Sequence, residues 1–311
     1  MLRFVFEDVR GNSVIMDRPL CVNITQERDV PADCVSALFD HRDCAELCSF
    51  HIFCDGMLVF KGVVDEQERI VSSSGAFLKI SGRSLAALLL DNESVPVTYH
   101  HPSAGIIYEK HVKPFSIVTS GNPDRTYYSD LVITKGESNW QALSRFCQNC
   151  MSSVPRISGR GELFFEGEEN EKEVIFSDTD GDILYQSIEE RVRRCEEISC
   201  VNIKVSNASG YHAKVENADA LERGIVRERY LNAVLTETPM NRADTLIKNG
   251  RQKGYRIKLR CSGRQLDLLG ASAEIRDTVI GEIRDLFVSA LYYRLSPNDE
   301  STYMILKRRN A

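Results

Sequence analysis

The chain has 311 residues, of which 42% are hydrophobic and 27% are charged, a composition typical of folded domains and unlike that of disordered chains. This length is enough for two or three domains with hydrophobic cores of their own. The formal net charge of −6 excludes the overall basic footprint that accompanies sequence-specific nucleic-acid binding.

The first residues of the chain predict a strand and not an export signal. Residues 1–9 alternate between apolar and polar side chains and contain neither the apolar core nor the cleavage site of a signal peptide. The longest apolar run, Leu85 to Leu90, is too short to span a bilayer. We therefore expect that the protein is made and folded in the cytosol, that it does not enter a membrane, and that its ten cysteines stay reduced.

Residues 1–96 predict a first domain built from antiparallel strands. An alternating strand over residues 48–54 is followed by Asp55-Gly56, a pair that tolerates the positive φ of a tight hairpin turn. The density and spacing of the strands favour a β-barrel or sandwich over a βαβ fold. The further elements predicted in this domain are two or three strands within residues 1–40, strands over 57–64 and 76–81, and a short helix over 85–90.

Residues 97–165 predict a small α/β domain. Its best-defined element is an amphipathic helix over residues 139–151, which begins with an S-x-x-Q capping box formed by Ser138 and Gln141. Trp140 lies on the apolar face of this helix, so we expect it in the core. The other predicted elements are a helix over 104–112 and strands over 130–134 and 162–165.

Residues 166–311 predict a second β domain that also contains helices. The whole chain is therefore predicted to be mainly β with some helix, in the α+β class. The predicted helices cover residues 221–231 and 241–254. The predicted strands cover residues 174–176, 198–205, 211–215, 255–261 and 270–275, followed by a hairpin of 285–295 and 302–307.

Two segments of the first domain carry a family resemblance. Asp55 to Glu66 reads DGMLVFKGVVDE, and Leu78 to Asn92 reads LKISGRSLAALLLDN. Their pattern and spacing resemble those of the baseplate hub proteins of contractile phage tails and phage-tail-like bacteriocins, the phage late control protein D-like family. The helix over residues 139–151 and the hairpin after it are also similar to that family. The resemblance covers nearly the whole chain and is weakest between residues 166 and 225.

The resemblance implies a fold and an assembly. Two tube-like antiparallel β-barrel domains, residues 1–96 and 166–311, would flank the small α/β domain at 97–165. The chain would form a homotrimeric ring that receives the tail tube protein on one face and the trimeric spike protein on the other, with the middle domain facing wedge or sheath components. The protein would be made in the bacterial cytoplasm and assembled into the baseplate of a virion or tail-like particle. The sequence leaves open whether that particle is a phage or a bacteriocin, and which edge strands build the ring.

One acidic segment matches part of a calcium-binding pattern. Asp178, Asp180 and Asp182, with Glu189 at the twelfth position, match oxygen positions of an EF-hand loop. However, the sixth position of that loop needs glycine and is Ile183 here, and the residues before the loop predict a strand instead of a helix. We therefore expect a solvated acidic turn, with calcium binding as the alternative.

Two groups of cysteines have spacings that occur in zinc sites. Cys147 and Cys150 form a C-x-x-C pair, but both lie on the core stripe of a helix, which favours two packed thiols over a zinc or redox site. In the second group, strand alternation places the histidine opposite two of the cysteines, so we expect no metal there either. The second group consists of Cys44, Cys48, His51 and Cys54.

Catalytic motifs are lacking in the sequence. It contains no nucleophile elbow, P-loop or dinucleotide fingerprint. His100, His101 and His111 flank the first helix of the middle domain, where neighbouring polar residues predict an exposed surface. We expect no enzymatic activity and no cofactor. The alternative function is a cell-wall-acting or saccharide-binding tail component, which would need a glutamate of raised pKa near a second carboxylate, or exposed aromatic side chains.

Overall fold

The described part of the chain is mainly β and contains five α-helices, which confirms the α+β class predicted from the sequence. The computed structural model describes residues 2–119, 121, 124–167, 170–204, 210–232 and 239–309. Thirteen strands belong to one large mixed sheet, and the other strands form small sheets of two or three strands. No helix in the described part is long and apolar enough to cross a bilayer.

The strands and helices follow one another in an irregular order. The first nine strands are β1 (Leu2–Asp8), β2 (Ser13–Asp17), β3 (Cys21–Glu27), β4 (Cys34–Asp40), β5 (Leu47–Cys54), β6 (Met57–Ser72), β7 (Gly75–Ser84), β8 (Val97–His100) and β9 (Val118–Thr119). The next eight are β10 (Asp130–Ile133), β11 (Arg156–Ile157), β12 (Glu162–Phe164), β13 (Glu173–Ser177), β14 (Ile183–Val192), β15 (Cys200–Lys204), β16 (Ala213–Glu216) and β17 (Glu228–Asn232). The last four are β18 (Tyr255–Ser262), β19 (Ser272–Asp277), β20 (Gly281–Ser296) and β21 (Asp299–Arg308). The helices are α1 (Ala86–Asp91), α2 (Ala104–His111), α3 (Asn139–Met151), α4 (Ala218–Glu222) and α5 (Pro239–Gly254).

The chain divides into two compact units, and strands β20 and β21 contribute residues to both. Unit 1 comprises Met1–Lys172, Ser262–Ala271 and Ser289–Tyr303. Unit 2 comprises Glu173–Cys261, Ser272–Val288 and Met304–Ala311. The division into three domains at residues 96/97 and 165/166 stays a prediction.

The main sheet of unit 1 is an antiparallel array in the order β20-β3-β4-β7-β6-β5-β1-β2. Its strands alternate between buried and accessible side chains, as β1 does along its whole length. The predicted hairpin turn after β5 is confirmed, because Asp55 and Gly56 both have positive φ, 51° and 86°. Five buried phenylalanines fill the core, with neighbouring ring centroids 5.2–6.1 Å apart: Phe4, Phe6, Phe39, Phe50 and Phe60.

A second hydrophobic core of unit 1 lies around α1, α2 and α3 and includes Leu89, Leu143 and Phe146. The predicted capping box of α3 is confirmed. The Ser138 hydroxyl accepts a hydrogen bond from the Gln141 backbone N–H at 3.2 Å, and the Gln141 side chain accepts one from the Ser138 backbone N–H at 2.7 Å. Each bond satisfies an N–H group that the first helical turn would otherwise leave unpaired.

The strands of unit 2 form a closed series of neighbours. The order β19-β13-β14-β18-β21-β20 is completed by direct pairing of β19 with β20, so each of these six strands has a neighbour on both sides. The pairs β13–β14 and β13–β19 are parallel, whereas β14–β18 and β19–β20 are antiparallel. The inward side chains are apolar, among them Phe176, Leu259 and Ile275, which are completely buried.

A small α/β element is inserted between β14 and β18. Val192, the last residue of β14, pairs with Tyr255, the first residue of β18. It contains the three-stranded sheet β16-β15-β17 together with α4 and α5. The helix predicted over residues 221–231 is wrong, because α4 ends at Glu222 and residues 228–232 form β17. Gly224, at φ 68°, ends the helical path, and β17 then pairs with β15. The helix predicted over residues 241–254 is confirmed as α5.

Candidate functional site

The sheet of unit 1 ends in an accessible edge strand, β2. Strand β2 pairs with β1 on one side only, and among the described residues no other strand pairs with its outer side. Val5 and Ile15 lie opposite each other in this pair, and Ile15 is 38% exposed. An edge strand presents unpaired backbone N–H and C=O groups and can accept a strand from another chain. We therefore regard β2 as a candidate assembly edge.

Arg42 covers part of this edge. Its guanidinium donates a hydrogen bond of 2.5 Å to the backbone carbonyl of Ile15. The Ile15 carbonyl therefore points away from β1, and in a strand the N–H of the same residue points the same way. Arg3 and Asp17, whose charged groups are 3.6 Å apart, place further charge beside the edge. Charged side chains of this kind reduce unspecific pairing at edge strands.

A buried ion pair joins the loop after β3 to strand β11. The Arg156 guanidinium donates to both carboxylate oxygens of Asp33 at 2.8 Å, and the two side chains are only 3% and 0% exposed. Arg156 also donates to the backbone carbonyls of Glu27 and Val30, at 2.7 and 3.1 Å. Burial raises the pKa of Asp33, and the ion pair with Arg156 opposes that shift. Sequence reasoning missed this pair, because its partners are 123 residues apart and no local pattern joins them.

Two clefts border the region of this ion pair. One, of about 380 Å³, lies between residues 28–31 and α3. The other, of about 500 Å³, is lined by Gln26, by residues 158–160 and by Leu266. Both have mixed polar and apolar walls, and the described residues that line them include no grouping of side chains that would identify a reaction.

His111 is buried, contrary to the exposed position expected for it. It is 3% exposed at the end of α2, and its Nδ1 lies 3.0 Å from Asn139 Oδ1 and 3.2 Å from Ser94 Oγ. The Asn139 amide nitrogen donates to the Asn92 carbonyl, so the amide oxygen faces the ring and Nδ1 carries the proton. Nε2 then accepts from the Tyr99 hydroxyl at 3.1 Å.

The surroundings of His111 keep its imidazole neutral. Burial lowers the pKa of His111, and the hydrogen bond to Asn139 opposes the shift. Burial also raises the pKa of the Tyr99 phenol. Both shifts favour an uncharged network that orients α2 against α3, and the arrangement supplies no nucleophile. His100 is different, because it is exposed and its Nδ1 lies within hydrogen-bond distance of Asp130 Oδ1, at 2.8 Å.

The fold is similar to those of solved phage tail proteins. The 43 kDa tail protein of prophage MuSo2 from Shewanella oneidensis matches with a TM-score of 0.80 at 15% identity, over 100% of this chain and 99% of that one. The tail protein from Neisseria meningitidis MC58 matches with a TM-score of 0.76 at 16% identity, over 99% and 96% of the two chains. The chain has the fold of a phage tail protein. The resemblance predicted from residues 55–66 and 78–92 is thus confirmed at the level of the fold.

This tail-protein fold also occurs outside phages. The c3393 protein of E. coli, described as a component of the type VI secretion system with structural similarity to the T4 bacteriophage tail proteins gp27 and gp5, matches with a TM-score of 0.54 at 9% identity. The match covers 93% of this chain and 73% of that one. No protein-family model matches the sequence, and no curated protein matches it.

The four residues of the calcium alternative lie at different places around β13 and β14. Asp178 accepts hydrogen bonds from the backbone N–H and the hydroxyl of Thr278, and Asp182 accepts one from the Ile175 N–H at 2.9 Å. Asp180 is exposed in the turn, whereas Glu189 lies within strand β14. Among the residues that the structure describes, no three His, Cys, Asp or Glu side chains are grouped so that they could hold a metal ion. The solvated turn stays a prediction.

The cysteines are free thiols in the structure, and all ten lie in its described part. Cys147 is completely buried in α3, and burial raises the pKa values of both Cys147 and Cys150, which disfavours the thiolate that metals and redox reactions need. In the second group, burial raises the pKa values of the Cys44 and Cys54 thiols and lowers that of His51. Cys48, the remaining member of this group, is exposed.

Trp140 is 8% exposed and packs in the second core of unit 1, as expected from the helical pattern. It is the single tryptophan of the chain. Trp140 is therefore not one of the exposed aromatic side chains on which saccharide binding could rest.

Proposed function

We propose that this chain is the structural baseplate hub of a contractile tail or tail-like particle, where it forms a homotrimeric ring that joins the tail tube to the central spike. The observation that supports this most strongly is the match to the Shewanella oneidensis tail protein, which covers essentially all of both chains. Because the match spans nearly the full length of both chains, little of either chain is left over for a separate catalytic domain. The proposed role is therefore structural and not enzymatic.

The proposed architecture has tube-like β-barrel domains at residues 1–96 and 166–311 and an α/β domain at 97–165. The closed series of six strands in unit 2 supports the second barrel, because complete pairing removes sheet edges. The core around α2 and α3 supports a middle domain, and α1 of the first domain packs into the same core.

The proposed ring uses the accessible edge at β2. By the family resemblance, two tube-like barrel domains in each chain, repeated three times, would give six-fold pseudo-symmetry, which suits a hexameric tube on one face and a trimeric spike on the other. In a closed ring every subunit edge meets a neighbour, so pairing at β2 does not continue indefinitely. The middle domain would then be available to wedge or sheath components, and the protein would belong to the particle baseplate.

Co-expression with the spike and tube proteins of the same particle tests the proposed function. An affinity tag on this chain should capture the spike and the tube protein in a complex that survives size-exclusion chromatography, whereas an unrelated trimeric protein should not be captured. If the folded chain captures neither partner, the hub proposal is wrong.

A further inference from the structure

Helix α5 covers one face of the small sheet β16-β15-β17 in unit 2. Val201 and Ile203 of β15 are completely buried and form a hydrophobic core with Ala243 and Ile247 of the helix. Leu231 of β17 packs against the same core. Because successive residues of a strand point to opposite sides of a sheet, the residues between these core positions point to the other, open face.

The open face carries a group of polar and aromatic side chains. Asn202 of β15 lies opposite Lys214 of β16 on one side and opposite Tyr230 of β17 on the other. Two residues before Asn202 along β15, the opposite positions on the two outer strands are Glu216 and Glu228. Both signs of charge and an aromatic ring therefore share this face.

Two exposed tyrosine rings lie next to each other there. Tyr230 is 63% exposed, and Tyr211, which lies just before β16, is 45% exposed. Their ring centroids are 5.0 Å apart and their planes meet at 73°, an edge-to-face pair. We call the following six side chains the tyrosine face: Asn202, Tyr211, Lys214, Glu216, Glu228 and Tyr230.

Hydrogen bonds hold the polar groups beside the rings. The Asn202 amide nitrogen and the Tyr230 hydroxyl both donate to Oε2 of Glu228, at 2.9 and 3.1 Å. The other oxygen of this carboxylate can accept a hydrogen bond from a ligand while Oε2 stays engaged. On the far side of β15, Lys214 and Glu216 form an ion pair at 2.5 Å. The rings are thus bordered by acceptors and donors in defined positions.

This combination favours an uncharged ligand that has both an apolar surface and hydroxyl groups. The Glu228 carboxylate beside Tyr230 repels the phosphates of a nucleic acid, and the Lys214 ammonium on the same face opposes a cation. The centres of protein interfaces are poor in charged residues, unlike this face. A sugar ring offers an apolar C–H surface to an aromatic ring, and its hydroxyls both donate and accept hydrogen bonds.

We propose that the tyrosine face binds a β-1,4-linked chain of neutral hexopyranoses. One sugar ring packs on Tyr230 beside Tyr211, and its hydroxyls donate to Glu228 and accept from Lys214. Rings joined in this way expose flat apolar surfaces, which suit an open sheet face better than a deep cavity would. The proposal does not depend on the hub function, since it rests on side chains of unit 2 alone.

Saturation-transfer NMR with the full-length protein and two probes, cellotetraose and chitotetraose, tests this. At least one probe should bind with a Kd on the order of 1 mM. Tyr230→Ala should weaken binding about tenfold because it removes the ring, whereas Tyr230→Phe keeps the ring and should stay within about threefold of the wild type. The matched control Tyr128→Ala removes a tyrosine of unit 1 that is 83% exposed, and it should leave binding unchanged.

The folding of each variant is checked by circular dichroism and thermal melting. If Tyr230→Ala does not fold, Tyr211→Ala decides, with an expected loss of about threefold. The proposal is overturned if neither probe binds at about 10 mM, or if the control weakens binding as much as Tyr230→Ala. It is also overturned if Tyr230→Ala changes the sedimentation of the protein but not saccharide binding, because the face would then be a protein contact.

Discussion

Gly62 and Gly82 lie on neighbouring strands, β6 and β7, and the buried ring of Phe50 packs against both of them. A Cβ atom on Gly62 would lie 2.2 Å from the Arg83 carbonyl oxygen and 2.8 Å from the Phe50 ring. A Cβ atom on Gly82 would lie 2.3 Å from the Val63 carbonyl oxygen and 2.6 Å from the same ring. The two glycines belong to the two segments that resemble hub proteins. Close packing against Phe50 explains why these two positions need glycine.

We predict that Gly62→Ala and Gly82→Ala each destabilise the protein by about 1–3 kcal/mol or more, because backbone atoms and a buried ring must move. Urea denaturation monitored by circular dichroism measures the change. Gly121→Ala is the matched control, since its added Cβ would meet nothing within 4 Å. Equal stability of all three variants would show that the crowding at Phe50 is not limiting.

We predict that Arg156→Met costs about 3–5 kcal/mol, because it leaves the Asp33 carboxylate buried without its partner. The double variant Arg156→Met/Asp33→Leu should be more stable than the single variant, since it removes both charges. Arg83→Met is the control, because Arg83 is 31% exposed and its partners Asp65 and Asp91 are accessible. That variant should lose no more than about 1 kcal/mol. A double variant as unstable as Arg156→Met would contradict the account.

We predict that the buried His111 makes the protein less stable as the pH falls. The imidazole has a lowered pKa in the folded state, so the unfolded chain takes up a proton first, at about pH 6.5. Stability should therefore decrease as the pH falls below about 6.5 and should level off below the folded-state pKa. Urea midpoints between neutral and acidic pH measure this. His111→Gln should flatten the profile, whereas the exposed His100→Gln should not, and equal slopes for both variants would count against the prediction.

We predict that Ile15→Pro weakens self-assembly without unfolding the chain. The Ile15 N–H points away from β1, so proline removes a donor from the accessible edge and none from the β1–β2 pair. Ile15→Thr keeps the N–H group and serves as the control, and Ile15→Lys tests the same edge by charge. Sedimentation velocity compares the oligomers. Wild-type assembly by both the proline and the lysine variant would exclude β2 from the interface.

Much of the fold could be predicted from local patterns. The capping box at Ser138, the Asp55-Gly56 turn and the alternation of β5 are set by residues close together in sequence, and the structure contains all three. The helix predicted over residues 221–231 failed because pairing with the distant strand β15 overrides the local helix preference.

The candidate site was less accessible to sequence reasoning. The Arg156–Asp33 pair and the burial of His111 depend on contacts between segments that are far apart in sequence. Such contacts produce no regular spacing of residues that could be recognised in the sequence. Register, which decides which charges share a face, is fixed only when the strands pair.

The most direct test of the hub assembly is light scattering coupled to size-exclusion chromatography, with negative-stain images of the same peak. The account predicts a particle of three times the 35.1 kDa chain mass that appears as a ring with a central hole. A compact monomer at every concentration, with no ring even when the spike protein is present, would contradict it.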